Sequence, residues 1–294
     1  MIQPNSLQAW GLAIRPKTLT GAAIPVMIGC ALADMYDKLQ VLPAVLCFLF
    51  AFLMQIDANF INDLFDYLKG SDREDRLGPE RACAQGWITV SAMKAGIAVV
   101  TVLAAITGLS LLFFSGWEMI PVGVACIVFA FLYTAGPYPL AYHGWGDVLV
   151  LVFFGFVPVG CTFYVMAHTW TTPVTVASLA CGLIIDTLLM VNNFRDREQD
   201  AISGKRTLIV RWGARAGLIL YFMLGMVACW CCLYFTSEGK IWAAVLPQLY
   251  LIPHIFTTLK MARINKGKAL NLILGETSRN MLLFGMLLTQ GLVL

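Results

Sequence analysis

Two clusters of acids and asparagines stand out because each lies at the end of a strongly apolar stretch. Asn62 and Asp66 are four residues apart, and Asn192 and Asp196 repeat that spacing later in the chain. Side chains four apart lie on one face of a helix, and a carboxylate at membrane depth costs roughly 2.5–3.5 kcal/mol. Such side chains are kept for a partner or a function, and oxygen atoms of this kind are what Mg²⁺ prefers as ligands.

Basic residues surround both clusters, which predicts a site for a metal ion and a polyphosphate. Mg²⁺ is typically held by a few carboxylates together with substrate phosphates, and Lys and Arg suit phosphate oxygens. The predicted catalytic residues are Asn62, Asp66, Asn192, Asp196 and Asp200. The predicted metal ligands are Asp63, Asp66, Asp72, Asp196 and Asp200, and the predicted phosphate contacts are Lys69, Arg81, Arg195, Lys205 and Arg206. The alternative, two solvated loops of mixed charge, is preferred only for Arg73, Glu74, Asp75 and Glu80.

The elements that position these clusters are predicted to be membrane-spanning helices. The chain has 294 residues, of which 59% are hydrophobic and only 13% charged, whereas soluble domains are about a quarter charged. A span needs roughly 20 apolar residues. Apolar windows fall at 11–33, 42–64, 91–114, 119–140, 146–167, 173–193, 214–236, 241–261 and 277–294. We therefore expect an all-α membrane protein of about nine transmembrane helices, built as a single domain over residues 1–294.

The distribution of basic residues predicts the orientation in the membrane. The segments 65–90, 194–213 and 262–276 carry nearly all the bases outside the N-terminal region, and the opposite side offers only Lys38 and Lys240. Basic loops stay in the cytoplasm. We therefore expect a multi-pass protein of the inner, cytoplasmic membrane, with its N-terminus and both acidic clusters on the cytoplasmic side.

Four stretches of the sequence resemble the UbiA-type superfamily of intramembrane aromatic prenyltransferases, and the resemblance covers nearly the whole chain. The family's two aspartate motifs are matched by "NDLFD" at 62–66 and "DREQD" at 196–200, and further likeness lies in "IRPKTL" at 14–19 and "YTAGPYPLAYHGWGD" at 133–147. Asn193 stands where the first motif has Asp63, so the two halves are not equivalent.

The resemblance is strongest to members of the superfamily that act on 1,4-dihydroxy-2-naphthoate, and it implies a reaction. A Mg²⁺-dependent enzyme would join a polyprenyl diphosphate to that acceptor, with loss of diphosphate and CO₂, to give demethylmenaquinol. Arg15 and Lys17 would receive the acceptor's carboxylate, or they only signal topology. We expect contact with membrane lipids and none with nucleic acid. Aromatic side chains available to an allylic cation are Tyr133, Tyr138, Phe153, Phe154, Phe156 and Tyr164.

Other functions remain open on the residues alone. The same fold could prenylate another aromatic or lipid acceptor with the metal site unchanged. A CDP-alcohol phosphotransferase is disfavoured because its acids belong to one motif, and a secondary transporter because its acids usually lie near the midplane of the membrane. Asp57 and Asp186, inside the apolar stretches, either line the cavity and serve the acceptor or a proton, or are buried in structural pairs.

Overall fold

The computed structural model describes residues 2–71 and 76–294, and the regular structure within those ranges is entirely helical. A helix satisfies its backbone hydrogen bonds within its own segment, as a segment that crosses lipid must. The helices are α1 (Leu7–Ile14), α2 (Leu19–Met35), α3 (Val41–Leu68), α4 (Val90–Ser115), α5 (Met119–Thr134), α6 (Gly146–Ala167), α7 (Thr172–Ile202), α8 (Leu208–Thr236), α9 (Ile241–Ile264) and α10 (Leu270–Val293).

Each of the nine predicted windows coincides with a helical passage, which confirms the expected fold class. Helices α1 and α2 form one passage, Leu7–Met35, with a short tight turn at Pro16–Thr18 between them. Within the described ranges, seven passages are long and apolar enough to cross a membrane, while α5 is apolar but shorter. The final passage, α10, carries Glu276 and Arg279.

The two helices that carry the acidic clusters are longer than their apolar windows. Helix α3 continues to Leu68 and α7 continues to Ile202, so the motif residues lie on regular helix. Each helix is followed closely by a glycine with positive φ, Gly70 at 68° and Gly204 at 76°. Left-handed glycines end helices because they satisfy the last carbonyls without a Cβ clash.

Besides the ends of α3 and α7, three further predicted boundaries are wrong, and local chemistry explains two of them. Helix α5 ends at Thr134 rather than at residue 140, because the glycine and prolines of 136–139 do not continue a helix. Helix α8 begins at Leu208 rather than at 214, since the Thr207 side chain accepts a hydrogen bond from the backbone of Val210 and caps it. Helix α10 begins at Leu270, ahead of the predicted residue 277.

Helix α7 is the central helix of the bundle. Of its most apolar window 72% is buried, against 17% for α3 and for α4, which therefore face outward. It packs against α6 and α8, and α10 returns to pack against α2. The contact with α6 depends on glycine, because a Cβ at Gly155 would lie 2.5 Å from the carbonyl oxygen of Ser178. Close approach through small residues is typical of membrane helices.

Candidate active site

The first cluster lies on the last turns of α3 and is held by polar side chains from two connecting segments. Asn62 accepts a hydrogen bond of 2.9 Å from the Thr134 hydroxyl. Asp66 is 5% exposed, with Arg81 3.0 Å from one carboxylate oxygen and the Tyr142 hydroxyl 3.3 Å from the other. The segment after α3 and the segment between α5 and α6 therefore meet at this acid.

Asp63 points to a different neighbour from Asn62 and Asp66. Its two carboxylate oxygens accept hydrogen bonds of 3.0 and 2.9 Å from the backbone N–H groups of Ala82 and Cys83. The Arg15 guanidinium lies 3.5 Å away, and Asp63 is 1% exposed. Adjacent residues of a helix point about 100° apart. Asp63 can therefore hold the polypeptide after α3 while Asn62 and Asp66 line the polar cavity.

The second cluster lies along one stripe of α7. Arg195 holds Asp196 with two bonds of 2.7 and 2.6 Å and also donates to the Asn271 side chain of α10 at 2.9 Å. Asp200 is 7% exposed and lies 3.5 Å from the Lys205 ammonium. Each acid of this stripe is thus paired with a cation of its own helix or of the turn that follows.

The ring of Tyr142 connects the two clusters. The Lys205 and Lys69 ammonium groups lie 4.8 and 5.0 Å from its centroid, on the scale of cation–π contacts. Burial alone would lower the pKa of Lys205, but the charges of Asp66 and Asp200 outweigh that effect and raise it. Burial and the nearby Lys205 charge lower the pKa of Lys69 despite Asp66. Lys205 is therefore the more firmly protonated cation of the two.

One polar cavity collects most of the predicted site residues, although their roles remain predictions. Those that line it are Asn62, Asp66, Asn192, Asp196, Asp200, Arg81, Arg195, Lys205, Arg15 and Lys17. Lys69 is not among the lining residues and donates to the backbone carbonyl of Thr134. Arg206 is exposed and also lies outside the lining. Asp72 lies outside the described residues.

A second cavity, mostly apolar, continues from the polar one into the bundle. The two share a neck of seven residues: Arg15, Thr18, Asn62, Tyr133, Leu188, Leu189 and Asn192. Beyond the neck the apolar cavity runs between α2, α3, α4, α5 and α6, as far as Val26, Leu111 and Val165. Of the six aromatic residues noted in the sequence, only Tyr133, Phe153 and Phe154 line it. Tyr138 stacks on His143, and Tyr164 bonds Glu118, so neither is placed for a role there.

Arg15 occupies an unusual backbone position at the neck. It has φ of 55° and separates α1 from the turn before α2. A non-glycine residue in the left-handed region is uncommon and is found at functional sites where the surroundings hold it. Asn59, one turn before Asp63 on α3, supplies part of that support by donating to the Ile14 carbonyl and the Thr18 hydroxyl, each at 2.9 Å.

Two residues of the polar site were not predicted from the sequence. Tyr142, which contacts both clusters, and Asp147, which lines the polar cavity at the start of α6, lie in the quoted stretch 133–147. The available signal for Asp147 was an acid next to an apolar helix. No signal marked Tyr142, because its partners come from three separate segments.

The two acids left unassigned by the sequence differ in their surroundings. Asp57 is fully buried, accepts a 2.8 Å hydrogen bond from Thr101, and does not line either cavity. Its placement fits a structural pair between α3 and α4. Asp186 is 2% exposed on α7, opposite α6, and its Oδ1 has no hydrogen-bond partner within residues 2–71 and 76–294.

The donor set of the polar cavity fits a divalent cation shared with a phosphate ligand. Within the described ranges, no three acids or histidines come close enough to hold a metal by themselves. The clusters on α3 and α7 each supply carboxylates instead, and these are paired with cations of the same chain. Mg²⁺ is usually bound through one or two carboxylates, with waters and substrate phosphates completing its coordination, so the available ligands are Asp66, Asp196 and Asp200, with the amide oxygens of Asn62 and Asn192 beside them.

Comparison with known proteins places this helical bundle and its paired motifs in one family. The model of the UbiA prenyltransferase family matches residues 22–274, so the chain belongs to the UbiA prenyltransferase family. The chain is 37% identical over 246 residues to the 1,4-dihydroxy-2-naphthoate octaprenyltransferase of Haemophilus influenzae, covering 81% of this chain and 80% of that one. It is 39% identical over 219 residues to the enzyme of the same name from Escherichia coli, covering 72% and 70%.

Solved structures share the fold at lower sequence identity. A UbiA homolog from Archaeoglobus fulgidus bound to DMAPP and Mg²⁺ superimposes with a TM-score of 0.70 at 15% identity, covering 97% of this chain and 98% of that one. The helical bundle therefore has the fold of these UbiA homologs. Together with the family match, its seven span-length apolar helices in the described ranges indicate an integral membrane protein.

Proposed function

We propose that this chain transfers a polyprenyl group from polyprenyl diphosphate to 1,4-dihydroxy-2-naphthoate, releasing diphosphate and CO₂ and forming demethylmenaquinol. One observation carries the proposal: the acids and bases of α3 and α7 line a single polar cavity that opens through a neck into an apolar one. A charged head and a hydrocarbon tail in one substrate need such a pair of compartments. The names of the relatives from Haemophilus influenzae and Escherichia coli support this choice of acceptor.

Mg²⁺ would be held by Asp66 from α3 and by Asp196 and Asp200 from α7, and when bound it would neutralise the diphosphate and make it a better leaving group. Asp63 was predicted as a ligand, but its oxygens already accept from two backbone amides. We therefore assign Asp63 to holding the segment after α3, and we leave Asp72 without an assignment.

In this scheme the basic residues of the chain contact acids when no ligand is bound and phosphate oxygens when the diphosphate is bound. Arg81, Arg195 and Lys205 neutralise the acids of the two clusters in the structure. With a metal–diphosphate bound, those carboxylates would hold the metal, and the cations would be available to the phosphate oxygens. Metal and diphosphate should consequently bind together more tightly than either one alone.

The acceptor would lie at the neck, where the head and tail of the first substrate also meet. Arg15 belongs to the neck and Lys17 lines the polar cavity, and both would hold the carboxylate of the naphthoate. The apolar lining beyond Tyr133, Phe153 and Phe154 would take the start of the prenyl tail. The distribution of basic residues favours an orientation with this polar side toward the cytoplasm. Residues 1–294 would form a single domain in the cytoplasmic membrane.

The direct test is a membrane assay with purified protein, a polyprenyl diphosphate and a panel of acceptors, run with and without Mg²⁺. The panel contains 1,4-dihydroxy-2-naphthoate, 4-hydroxybenzoate, homogentisate and a glycerol phosphate. We expect a prenylated, decarboxylated naphthoquinol only with the first acceptor and only with divalent metal. Product from another acceptor in preference to the naphthoate would contradict the proposed substrate and leave the transferase class intact.

A further inference from the structure

Asp147 is a buried acid that faces the polar cavity and has no assigned partner. It lies in the first turn of α6, is 9% exposed, and lines the cavity beside the neck. Its Oδ1 atom is buried and makes no hydrogen bond to any part of the chain that the structure describes. A buried carboxylate oxygen without a partner is costly, so its retention at the edge of a substrate cavity points to a ligand.

A second buried acid stands behind Asp147. Asp186 of α7 is within electrostatic range of it, and the Asp186 Oδ1 likewise has no partner in the described ranges. The helices meet closely here because Gly146 has no side chain: a Cβ at this position would lie 3.2 Å from Leu189 of α7. Two neighbouring carboxylates in an apolar setting do not both keep a charge, so the pair is expected to share one proton.

The pair lies next to the place where the two substrates would meet. A Cβ at Gly146 would be 3.6 Å from the Tyr133 hydroxyl, and Tyr133 belongs to the neck. Tyr133 lines the polar cavity together with the acids Asp66, Asp147 and Asp200, from α3, α6 and α7. Asp66 and Asp200 are paired with cations, whereas no cation is paired with Asp147 or Asp186 among the described ion pairs.

We propose that Asp147 is the proton-transfer residue of the reaction: it takes the proton of the acceptor hydroxyl adjacent to the carboxylate-bearing carbon and returns it when CO₂ leaves. This inference rests on the proposed function. A group that holds a proton only between two chemical steps needs to be carboxylate at the start, carboxylic acid in the middle, and shielded from water throughout. Asp147 is buried enough for the last condition. Asp186 beside it holds the one proton of the resting pair, which leaves Asp147 as the carboxylate that the first step needs.

The two steps balance. In the first, the C–O bond of the prenyl diphosphate breaks with its electron pair on the leaving oxygen. The ring π pair at the carboxylate-bearing carbon then forms the new C–C bond, while the adjacent hydroxyl loses its proton to Asp147 and becomes a carbonyl. In the second, the bond to the carboxylate breaks and its pair restores the ring double bond. CO₂ departs and the carbonyl oxygen takes the proton back from Asp147. No oxidant or extra proton donor is required.

Asp186 acts in this scheme as a positioning residue, because it reaches the acceptor only through Asp147. Losing Asp186 alone is expected to slow the reaction, and losing it in a chain that already lacks the Asp147 carboxylate is expected to do nothing further. Such non-additivity is the mark of two residues that work as one unit.

The test compares Asp147→Asn, Asp186→Asn, the double variant and Asp57→Asn, all as full-length protein in the same lipid. Asp57 is the control, since it is also a buried acid of an apolar helix but lines neither cavity. For Asp147→Asn we expect kcat to fall by roughly 100- to 10,000-fold, the usual contribution of general acid–base catalysis. Mg²⁺-dependent binding of prenyl diphosphate should be unchanged. Asp57→Asn should keep its kcat.

A pH series gives a measurement that a purely structural role of Asp147 would leave unchanged. In Asp147→Asn the rate should climb with pH as the solvent ionises the acceptor hydroxyl, while wild type shows no such rise over the same range. Wild-type rates in Asp147→Asn would overturn the inference, and so would a loss of diphosphate binding, which would make Asp147 part of the metal site. If Asp147→Asn fails to fold, Asp186→Asn and Asp147→Glu replace it. A fall in kcat with KM unchanged supports the inference, and a wild-type kcat in both variants contradicts it.

The same assays distinguish a failure of the proposed function from a failure of this inference. If wild-type protein does not prenylate the naphthoate at all, the proposed function is wrong and this inference falls with it. If wild type is active and the Asp147 variants are equally active, only the inference is wrong.

Discussion

The hydroxyl of Tyr142 donates a 3.3 Å hydrogen bond to the carboxylate of Asp66, and the same hydroxyl contacts Ser71. The Lys205 ammonium lies 4.8 Å from the centroid of the Tyr142 ring. One side chain between α5 and α6 thereby fixes the end of α3 against the turn that follows α7. The two acidic clusters are held at a set separation before any ligand arrives, which favours binding by lowering the cost of ordering.

Removing Asp66 or Asp196, two of the acids proposed to hold metal, should reduce turnover severely. For Asp66→Ala and Asp196→Ala we expect kcat to fall by about 100- to 1000-fold or more, roughly 3–4 kcal/mol, because transition-state charge on the diphosphate loses its electrostatic support. Glu198→Ala is the control on the same turn of α7, since Glu198 is exposed and does not line the cavity. Near-normal activity of either aspartate variant at saturating Mg²⁺ would contradict the metal site.

Lys205 and Arg206 are adjacent in sequence but differ in placement, which makes them a natural pair for testing phosphate recognition. Lys205→Gln should raise KM for the prenyl diphosphate by about 10- to 150-fold, the equivalent of the 1.5–3 kcal/mol of a charge-assisted hydrogen bond. Arg206→Gln should leave it nearly unchanged, because Arg206 is exposed outside the cavity. Equal effects of the two substitutions would mean that both bases only contribute to the overall charge of this surface.

Arg15 should affect the acceptor more than the prenyl donor. We expect Arg15→Ala to raise KM for dihydroxynaphthoate by the equivalent of about 1.5–3 kcal/mol and to leave KM for the diphosphate nearly unchanged. Arg15 also lies 3.5 Å from Asp63, so Asp63→Asn is measured beside it. If Asp63→Asn reproduces the same rise in KM, the arginine acts by supporting Asp63 and does not bind the acceptor.

Asp63 itself should matter for stability. In Asp63→Ala the backbone N–H groups of Ala82 and Cys83 lose their acceptors, and each buried unpaired group costs about 1–3 kcal/mol. We expect a lower melting temperature in detergent, with Mg²⁺-dependent diphosphate binding retained at temperatures where the variant is folded. Asn59→Ala, which loses the bonds to Ile14 and Thr18, serves as a comparison on the same helix. A stable Asp63→Ala protein that fails to bind Mg²⁺ would restore Asp63 as a ligand.

Close packing of α6 on α7 can be tested without touching a polar group. In Gly155→Ala the new methyl would lie 2.5 Å from the Ser178 carbonyl oxygen, so the helices must separate, and overpacking of this kind costs typically about 1–3 kcal/mol. We expect a reduced melting temperature and a reduced kcat, since Asp147 moves with α6. Gly11→Ala, where nothing lies within 4 Å, should be neutral on both measurements.

Hydrophobic periodicity and composition predicted the helices well, because a membrane span is specified by the length of an apolar run. The ends of the helices were less accurate. The windows stopped at residues 64 and 193, whereas α3 and α7 continue to Leu68 and Ile202. Polar residues end an apolar window but do not end a helix, and the true stops are the left-handed glycines that follow.

The site was predictable where its residues repeat along one helix and not where they converge from different segments. Asn62–Asp66 and Asn192–Asp196 could be found by spacing, and the structure brings both pairs to one cavity. The orientation of Asp63 depends on where residues 82 and 83 fold back against α3, and no local pattern encodes that. Tyr142 and Asp147 depend on the path between α5 and α6, which is fixed by tertiary packing.

The narrow overlap between the two cavities has an evolutionary consequence. Apart from the seven residues of the neck, the lining that would meet the diphosphate and the lining that would meet the prenyl tail are made of different residues. Substitutions deep in the apolar compartment, for example at Leu111 or Val165, can change which tails are accepted without altering the chemistry. A lineage can therefore adapt to a new tail by single steps, while the neck, where one substitution has two effects, is expected to change slowly.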